Sequence, residues 1–206
     1  TEVLLLDICP SELLDSEKQR GLTLKDKVVK NRIVNTSFSN TLKTKPSSLY
    51  LEKNKANIQL GNLEDDINKI NESDWVIEVV VEKIEVKKKV FDLIEKNRLK
   101  GTLITSNTSG IPVKEMVKGR SKDFVENFCV THFFNPPRYM KLLEIVPGKE
   151  TKEEVTNFLM NYGSLFLGKE TVLCKDTPAF IANRIGIYSI MSAMHTIDEM
   201  GLSVGQ

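Results

Sequence analysis

The sequence Trp-Val-Ile-Glu-Val-Val-Val at residues 75–81 decides the fold, because it is the clearest strand in the chain. A nearly unbroken apolar run of this length is typical of a strand buried within a parallel sheet. It leads into a predicted helix at residues 84–98, on which Val90, Phe91 and Ile94 lie roughly on one side. A buried strand followed by an amphipathic helix is the repeating element of α/β proteins.

Strands and helices are predicted to alternate along the whole chain. The other predicted strands are residues 3–8, 57–60, 102–106, 128–131, 141–146 and 171–174. The other predicted helices are residues 12–34 with interruptions, 63–70, a short one after Pro112, 152–167 and 179–200. This order predicts an α/β fold with an open, mainly parallel sheet and helices on both faces.

Size and composition limit the function classes. The chain has 206 residues, a formal charge of +1, 40% apolar and 28% charged residues, as ordinary globular proteins have. The small net charge argues against a general nucleic-acid or membrane-surface role. No stretch reaches the roughly 18–20 apolar residues of a membrane span, and no secretory leader is recognisable. Cys9, Cys129 and Cys174 are interpreted as buried thiols and not as a disulfide or metal site, so a soluble intracellular protein is predicted.

His132 and Glu144 are the strongest candidates for chemistry. His132 follows the predicted strand at 128–131, and Glu144 lies in the mostly apolar run at 141–146. If these two runs are neighbouring strands, the imidazole and the carboxylate meet across them. An imidazole oriented by a buried carboxylate is a general base near neutral pH. The alternative is a histidine that only satisfies its hydrogen bonds within the core.

Polar residues follow several predicted strands, and the carboxyl edge of an open α/β sheet is where ligands bind. Asn-Thr-Ser-Gly at residues 107–110 follows one strand, Glu82 and Lys87 follow another, and Asp7 lies near the end of the first. An acidic residue in the position of Asp7 hydrogen-bonds the ribose of a dinucleotide in nucleotide-binding folds. Three alternatives stay open: an ordinary turn at 107–110, a solvated pair of Glu82 and Lys87, and a strand-end aspartate at Asp7.

Two further features have both a functional and a structural interpretation. Asn183 is a polar residue in the apolar last helix, where an unpaired amide would be costly to bury. It either hydrogen-bonds a substrate or another domain, or it is simply exposed. Residues 20–55 carry nine basic and only two acidic residues. They form either a solvated helical face or a binding surface for a polyanion.

Four segments together resemble the 3-hydroxyacyl-CoA dehydrogenase family, in particular the dehydrogenase part of long multifunctional β-oxidation proteins. They are Asp-Trp-Val-Ile-Glu-Val-Val-Val-Glu at 74–82, Ser-Asn-Thr-Ser-Gly at 106–110, His-Phe-Phe-Asn-Pro-Pro-Arg-Tyr at 132–139 and Cys-Lys-Asp-Thr-Pro-Ala-Phe-Ile-Ala-Asn-Arg at 174–184. The resemblance implies a Rossmann-like, doubly wound sheet. It also implies NAD as the cofactor and a 3-hydroxyacyl-CoA as the substrate.

The resemblance further implies roles for individual residues. His132 would be the catalytic base and Glu144 its orienting carboxylate. Ser109 would hydrogen-bond the substrate oxygen close to the nicotinamide, and Asn183 would support the same oxygen. The residues that match dinucleotide-contacting positions are Asp7, Glu82, Lys87 and Asn135.

Two parts of the family pattern are expected to be missing. Only six residues precede Asp7, too few for the first strand and the glycine-rich phosphate loop. Residues 1–178 are therefore interpreted as a partial NAD-binding domain, and residues 179–206 as the first helix of a carboxyl-terminal helical domain. Apolar residues around much of that helix indicate a partner larger than one sheet. The missing domain would form a homodimer in the full-length protein, and the fragment alone would be inactive.

The predicted function is oxidation of a 3-hydroxyacyl-CoA to the 3-ketoacyl-CoA with NAD in fatty-acid β-oxidation. The predicted location is the cytoplasm, with a mitochondrial or peroxisomal matrix as alternatives. Two rival functions remain: dehydrogenation of free hydroxy acids, and a non-catalytic acyl-CoA-binding or assembly module. A metal hydrolase is not favoured, because two distant histidines do not supply a ligand cluster.

Overall fold

The computed structural model describes residues 1–203, which contain seven β-strands and eight α-helices. The strands are β1 Val3–Asp7, β2 Ile58–Asn62, β3 Trp75–Glu78, β4 Leu103–Ser106, β5 Phe128–Phe133, β6 Leu142–Pro147 and β7 Glu170–Leu173. The helices are α1 Asp15–Gln19, α2 Lys27–Lys30, α3 Arg32–Lys43, α4 Ile84–Asn97, α5 Val113–Met116, α6 Lys122–Glu126, α7 Glu153–Leu165 and α8 Ala182–Glu199. Two 3₁₀ helices cover Glu52–Asn57 and Ile67–Glu72. The alternation of strands and helices is therefore as predicted.

The first of two compact units comprises Thr1–Asp74, Phe91–Leu99 and Asn135–Tyr139. Its two strands, β1 and β2, pair in parallel, with Asp7 opposite Asn62 at their carboxyl ends. Helix α3 packs against both strands.

The second unit comprises Trp75–Val90, Lys100–Phe134 and the chain from Met140 onward. Its sheet has the order β3-β4-β5-β6-β7, and every pairing is parallel except that of β5 with β6. Helix α7 packs on β5, β6 and β7. At Gly163 of α7 an added Cβ would lie 2.6 Å from Thr171 Cγ2, so only glycine allows this close approach.

Strand β3 is shorter than predicted, because it ends at Glu78 and not at Val81. The Val80 N–H donates to the Glu78 carboxylate at 2.6 Å and not to a neighbouring strand. A local bond from a side chain to the backbone competes with the sheet ladder and turns the chain. Val79 and Val81 are consequently exposed.

The predicted helix at 12–34 is wrong in its limits, because the structure divides it into α1, α2 and a longer α3. A turn separates α1 from α2, where the Thr23 N–H donates to the Asp26 carboxylate at 2.6 Å. Helix α3 then continues to Lys43, since Val34 and the half-buried Phe38, four residues apart, lie on one face. The Asn, Thr and Ser residues between these positions concealed that apolar face.

The predicted acidic helix at 63–70 is also wrong, because only a 3₁₀ helix at Ile67–Glu72 forms there. The buried Asn62 side-chain oxygen accepts the N–H groups of Glu64 and Asp65 at 3.0 and 2.8 Å. Asparagine side chains that bind the following backbone in this way favour a turn over a helix.

Two properties of the described residues bear on function classes. No helix among residues 1–203 is both long and apolar enough to cross a membrane. Within the same range, no group of three or more His, Cys, Asp or Glu side chains is arranged to hold a metal ion.

Candidate active site

His132 and Glu144 form a buried hydrogen-bonded pair in the second unit. They are direct partners in the antiparallel register of β5 and β6, as the sequence predicted. His132 Nδ1 lies 2.7 Å from Glu144 Oε2, and the two residues are 4% and 0% exposed. Since a carboxylate oxygen accepts, Nδ1 carries the hydrogen, and Nε2 is left with the lone pair that can take a proton.

The second oxygen of Glu144 is bound to the start of helix α8. Glu144 Oε1 accepts the N–H groups of Ile181 and Ala182 at 3.0 and 2.8 Å. These are two of the N–H groups that a helix leaves without an internal partner at its amino end. A carboxylate there is also favoured by the helix dipole. Glu144 therefore orients the imidazole and caps α8 at the same time.

Two aromatic rings restrict the imidazole of His132. Its ring centroid lies 4.4 Å from that of Phe134 and 5.7 Å from that of Phe180, which it meets edge to face. Phe180 is 2% exposed. Contacts from these rings and from Glu144 leave the imidazole little freedom to rotate.

The backbone just before α8 is strained. Ala179 and Phe180 have φ values of 62° and 49°, in the left-handed region that favours glycine. The predicted start of the last helix at residue 179 is wrong for this reason, since α8 begins at Ala182. In this left-handed conformation the Phe180 ring contacts the His132 ring. The N–H groups of Ile181 and Ala182 then point to Glu144.

Replacing Ala179 by glycine is expected to stabilise the chain. Removing the left-handed strain of Ala179 adds about 1–2 kcal/mol to the free energy of unfolding. The greater conformational freedom of glycine in the unfolded chain offsets about 0.5–1 kcal/mol of that gain. The net gain of about 0.5–1 kcal/mol should raise the denaturant midpoint. Ala193→Gly is the matched control, because Ala193 lies within α8 and should lose about 1 kcal/mol. Equal losses in both variants would contradict the assigned strain.

Ser109 and Asn183 line a cavity of about 350 Å³. Asn183 Nδ2 lies 3.5 Å from the Ser109 carbonyl oxygen. The other lining residues come from the same loop and from the first turns of α8: Gly110, Ala179, Ala182, Gly186, Ile187 and Ile190. Ala182 also donates its N–H to Glu144, so this residue contacts both the cavity and the His132–Glu144 pair. Two residues predicted to hold a substrate oxygen are thus brought together.

Glu82 and Lys87 are not the solvated pair that the sequence allowed. Lys87 is 1% exposed, and its Nζ lies 2.9 and 3.0 Å from the two carboxylate oxygens of Glu78. Glu82 is partly exposed and accepts the Ser109 N–H at 2.9 Å and the Thr108 hydroxyl. Burial alone would raise the pKa of Glu82, but these hydrogen bonds and the charge of Lys87 hold the pKa below its usual value.

Asp7 and Asn135 belong to the first unit. Asp7 is the last residue of β1, and its carboxylate accepts the Ile8 N–H at 2.8 Å. Asn135 is exposed in the loop after β5. Both positions agree with the topology that the sequence predicted, and their contact with a dinucleotide stays a prediction.

The basic segment at residues 20–55 is partly neutralised within the first unit. Lys30 pairs with Glu64 and Asp65 at 3.2 and 2.7 Å, and Arg32 pairs with Glu17. Lys43, Lys45 and Lys53 are exposed, and the binding of a polyanion by this segment stays a prediction.

The three cysteines are free thiols; Cys129 and Cys174 are buried as predicted, whereas Cys9 is only half-buried. Burial raises the pKa of Cys129 to about 12. Burial, followed by the charge of Glu144, raises the pKa of Cys174 to about 11. Both thiols are therefore protonated at neutral pH and do not act as nucleophiles.

Sequence reasoning missed two parts of the site. Glu78 is a charged residue inside an apolar strand, a signal that was present, yet its partner on α4 could not be deduced from the strand alone. Phe180 and the backbone of Ile181 carried no usable signal, because their roles depend on a left-handed turn.

Comparisons with known proteins decide the family. A sequence profile described as "3-hydroxyacyl-CoA dehydrogenase, NAD binding domain" matches residues 2–177. The chain belongs to the 3-hydroxyacyl-CoA dehydrogenase family. It is 49% identical over 204 residues to a "Probable 3-hydroxyacyl-CoA dehydrogenase" of Bacillus subtilis (strain 168), covering 99% of this chain and 26% of that protein.

This chain also covers only part of two other proteins to which it is similar. A "Putative fatty acid oxidation complex trifunctional enzyme" of Rickettsia felis is 41% identical over 80% of this chain and 23% of its own length. The crystal structure of 3-hydroxybutyryl-CoA dehydrogenase from Escherichia coli K12 superposes with a TM-score of 0.70 at 29% identity, covering 96% of this chain and 38% of that one. The chain thus spans only about a quarter of the two curated relatives.

These matches confirm several predictions from the sequence. The family, the Rossmann-like α/β fold and NAD as the cofactor of this domain are as expected. The domain division at residue 178, the homodimer and the cytoplasmic location stay predictions. Ile185, Tyr188 and Ile190 of α8 are exposed, and that this helix begins a second domain stays a prediction. Residues 204–206 of that predicted domain lie outside the described residues.

Proposed function

We propose that the protein containing this chain oxidises a 3-hydroxyacyl-CoA to the 3-ketoacyl-CoA with NAD, as a step of fatty-acid β-oxidation. The observation that carries the proposal is the buried hydrogen bond of 2.7 Å between His132 and Glu144. Glu144 also binds the N–H of Ala182, which lines a cavity together with Ser109 and Asn183. The name of the Rickettsia relative supports the β-oxidation context.

His132 is the proposed general base. Its Nε2 takes the proton of the substrate hydroxyl, while Nδ1–H remains bound to Glu144. The carboxylate of Glu144 stabilises the imidazolium that forms, and its bonds to Ile181 and Ala182 prevent it from turning away. Burial of the pair strengthens this electrostatic effect relative to water.

Ser109 and Asn183 are proposed to hold the substrate oxygen. The exposed Ser109 follows β4 at the carboxyl edge of the sheet, and Asn183 lies in the first turn of α8. Hydrogen bonds from Ser109 and Asn183 to the substrate oxygen would keep the reacting carbon aligned with the base. Such alignment contributes a large part of the rate acceleration in well-oriented sites.

The residues of the chain fit NAD at this sheet edge. Glu82, partly exposed, and Ser109 lie after the carboxyl ends of β3 and β4, where open α/β sheets bind nucleotides. For the first unit, Asp7 at the end of β1 and the exposed Asn135 stay separate predictions of contact with a dinucleotide. Bound NAD would supply the acceptor for the hydride that leaves the hydroxyl-bearing carbon of the substrate. Lys87 is 1% exposed, and its contact with the dinucleotide stays a prediction.

A comparison of two oxidants tests the substrate class. The full-length protein is expected to oxidise NADH with acetoacetyl-CoA at least about 100-fold more efficiently, in kcat/KM, than with free acetoacetate, since about 3 kcal/mol of binding to the remote coenzyme A moiety is lost. The measurement is the initial rate of NADH oxidation with each compound. Equal efficiencies would indicate a dehydrogenase of free acids. Binding of acyl-CoA without any NADH oxidation would indicate a non-catalytic module.

A further inference from the structure

The cavity beside Ser109 has one polar end and an apolar remainder. Its polar side chains are those of Ser109 and Asn183, and helix α8 lines it further along with Gly186, Ile187 and Ile190. Within the described part of the chain, the lining contains no charged side chain. The phosphates of a dinucleotide or of coenzyme A would find no ionic partner there, whereas an apolar chain with one oxygen matches the lining.

The residues of α8 that line the cavity lie on one face of the helix. They are Asn183, Gly186, Ile187 and Ile190, at the spacing i, i+3, i+4 and i+7 that places side chains in one row. From Asn183 to Ile190 the helix rises about 10 Å. The row therefore begins at the amide proposed to hold the substrate oxygen and continues as an apolar surface.

Gly186 is an unusual residue within α8, because only proline is less favourable in a helix interior. Neither common structural reason for a glycine applies among the described residues. Its φ does not lie in the left-handed region, and an added Cβ would have no atom within 4 Å. Gly163 of α7 is the opposite case, since its added Cβ would lie 2.6 Å from Thr171. Gly186 thus leaves free volume in the wall of the cavity.

We infer that Gly186 is a specificity-determining residue, which leaves room for the acyl chain beyond the oxygen-bearing carbon of a 3-hydroxyacyl-CoA. The oxygen is held at Ser109 and Asn183, and the chain continues along the apolar row. The inference rests on the proposed function and narrows its substrate to acyl chains clearly longer than butanoyl. Each further methylene group that is buried against Ile187 and Ile190 strengthens binding.

Kinetics of the full-length protein with two chain lengths test the inference. The unmodified protein is expected to oxidise 3-hydroxydecanoyl-CoA with a higher kcat/KM than 3-hydroxybutanoyl-CoA, measured as the initial rate of NADH formation. Gly186→Leu should lower the ratio of these two efficiencies by at least about 10-fold, because the leucine side chain fills volume that the longer acyl chain needs. An unchanged ratio would overturn the inference.

Two control variants separate the loss of volume from other effects. Ser192→Leu adds the same side chain at an exposed position about two and a half turns after Asn183, on the opposite face of α8. Its ratio of efficiencies should stay within about twofold of the unmodified protein. Gly186→Ala should lower the ratio less than Gly186→Leu and raise the denaturant midpoint, since alanine is the most favourable residue in a helix.

The same variants exclude a purely structural role for the glycine. If Gly186 allowed another part of the longer protein to pack closely on α8, alanine would lower the denaturant midpoint. Leucine would then lower the efficiencies with both substrates equally. Either result would overturn the inference. Gly186→Leu is expected to fold, because leucine favours a helix and no described atom lies within 4 Å of the added Cβ.

A binding measurement provides a readout that needs no turnover. The dissociation constants of decanoyl-CoA and butanoyl-CoA, measured by calorimetry, should show the same loss of at least about 10-fold in chain-length preference in Gly186→Leu. This loss in a protein without dehydrogenase turnover would support the acyl site and refute the proposed reaction. Turnover with an unchanged preference would refute the acyl site alone.

Discussion

Full-length protein carrying His132→Gln is expected to lose about 10²–10⁴-fold in kcat. Glutamine can still donate an amide hydrogen to Glu144, but it has no atom equivalent to the basic Nε2. The hydroxyl proton of the substrate would then have no acceptor at the site. The measurement is kcat for NADH oxidation with acetoacetyl-CoA.

Two controls accompany the His132→Gln variant. Its affinity for NADH should remain within about threefold of the unmodified protein, because a general base contributes to the chemical step and not to ground-state binding. Its thermal midpoint should show that the fold is retained. Near-normal turnover, or a loss of NADH affinity that accounts for the whole effect, would refute His132 as the base.

Glu144→Gln and Glu144→Ala are expected to separate the two roles of Glu144. Glutamine keeps an oxygen for the Ile181 and Ala182 N–H groups, but it places an NH₂ group against His132 Nδ1. The imidazole must then move its hydrogen to Nε2, which can no longer accept a proton. A loss of about 10³–10⁴-fold in kcat follows, the order seen when a carboxylate behind a catalytic histidine becomes an amide.

Alanine at position 144 removes the helix cap as well. The N–H groups of Ile181 and Ala182 and the Nδ1–H of His132 lose their acceptor in a buried place. An unpartnered buried donor costs about 1–3 kcal/mol, so Glu144→Ala should unfold at clearly lower denaturant than Glu144→Gln. The readouts are kcat and the denaturant midpoint. Normal turnover of the glutamine variant would reject the tautomer argument, and equal midpoints would reject the capping role.

The active pair could be predicted because sheet pairing is a regular geometry. The apolar runs around His132 and Glu144 are linked by a short proline-containing loop, and adjacent antiparallel strands place directly opposite side chains close together. The polar residues after β3 and β4 were likewise predictable, because parallel strands bring their carboxyl ends to one edge.

The errors occurred where side chains bind the backbone locally. Glu78 ends β3 early, Asn62 replaces a helix by a turn, and Asp26 interrupts the helix predicted at 12–34. Such bonds compete with regular structure at individual positions, whereas hydrophobic periodicity averages over many residues. The periodic signal therefore located the elements and misplaced several of their ends.

The sequence by itself determined the alternation of strands and helices, the family and the meeting of His132 with Glu144. Only the tertiary structure decided that Glu144 also caps α8, that Lys87 is enclosed by Glu78, and that Ala179 and Phe180 are left-handed. The physical reason is that periodicity reports which face of an element is buried. The partner of a buried charge, or of an unpaired helix N–H, is supplied by whichever distant segment packs there.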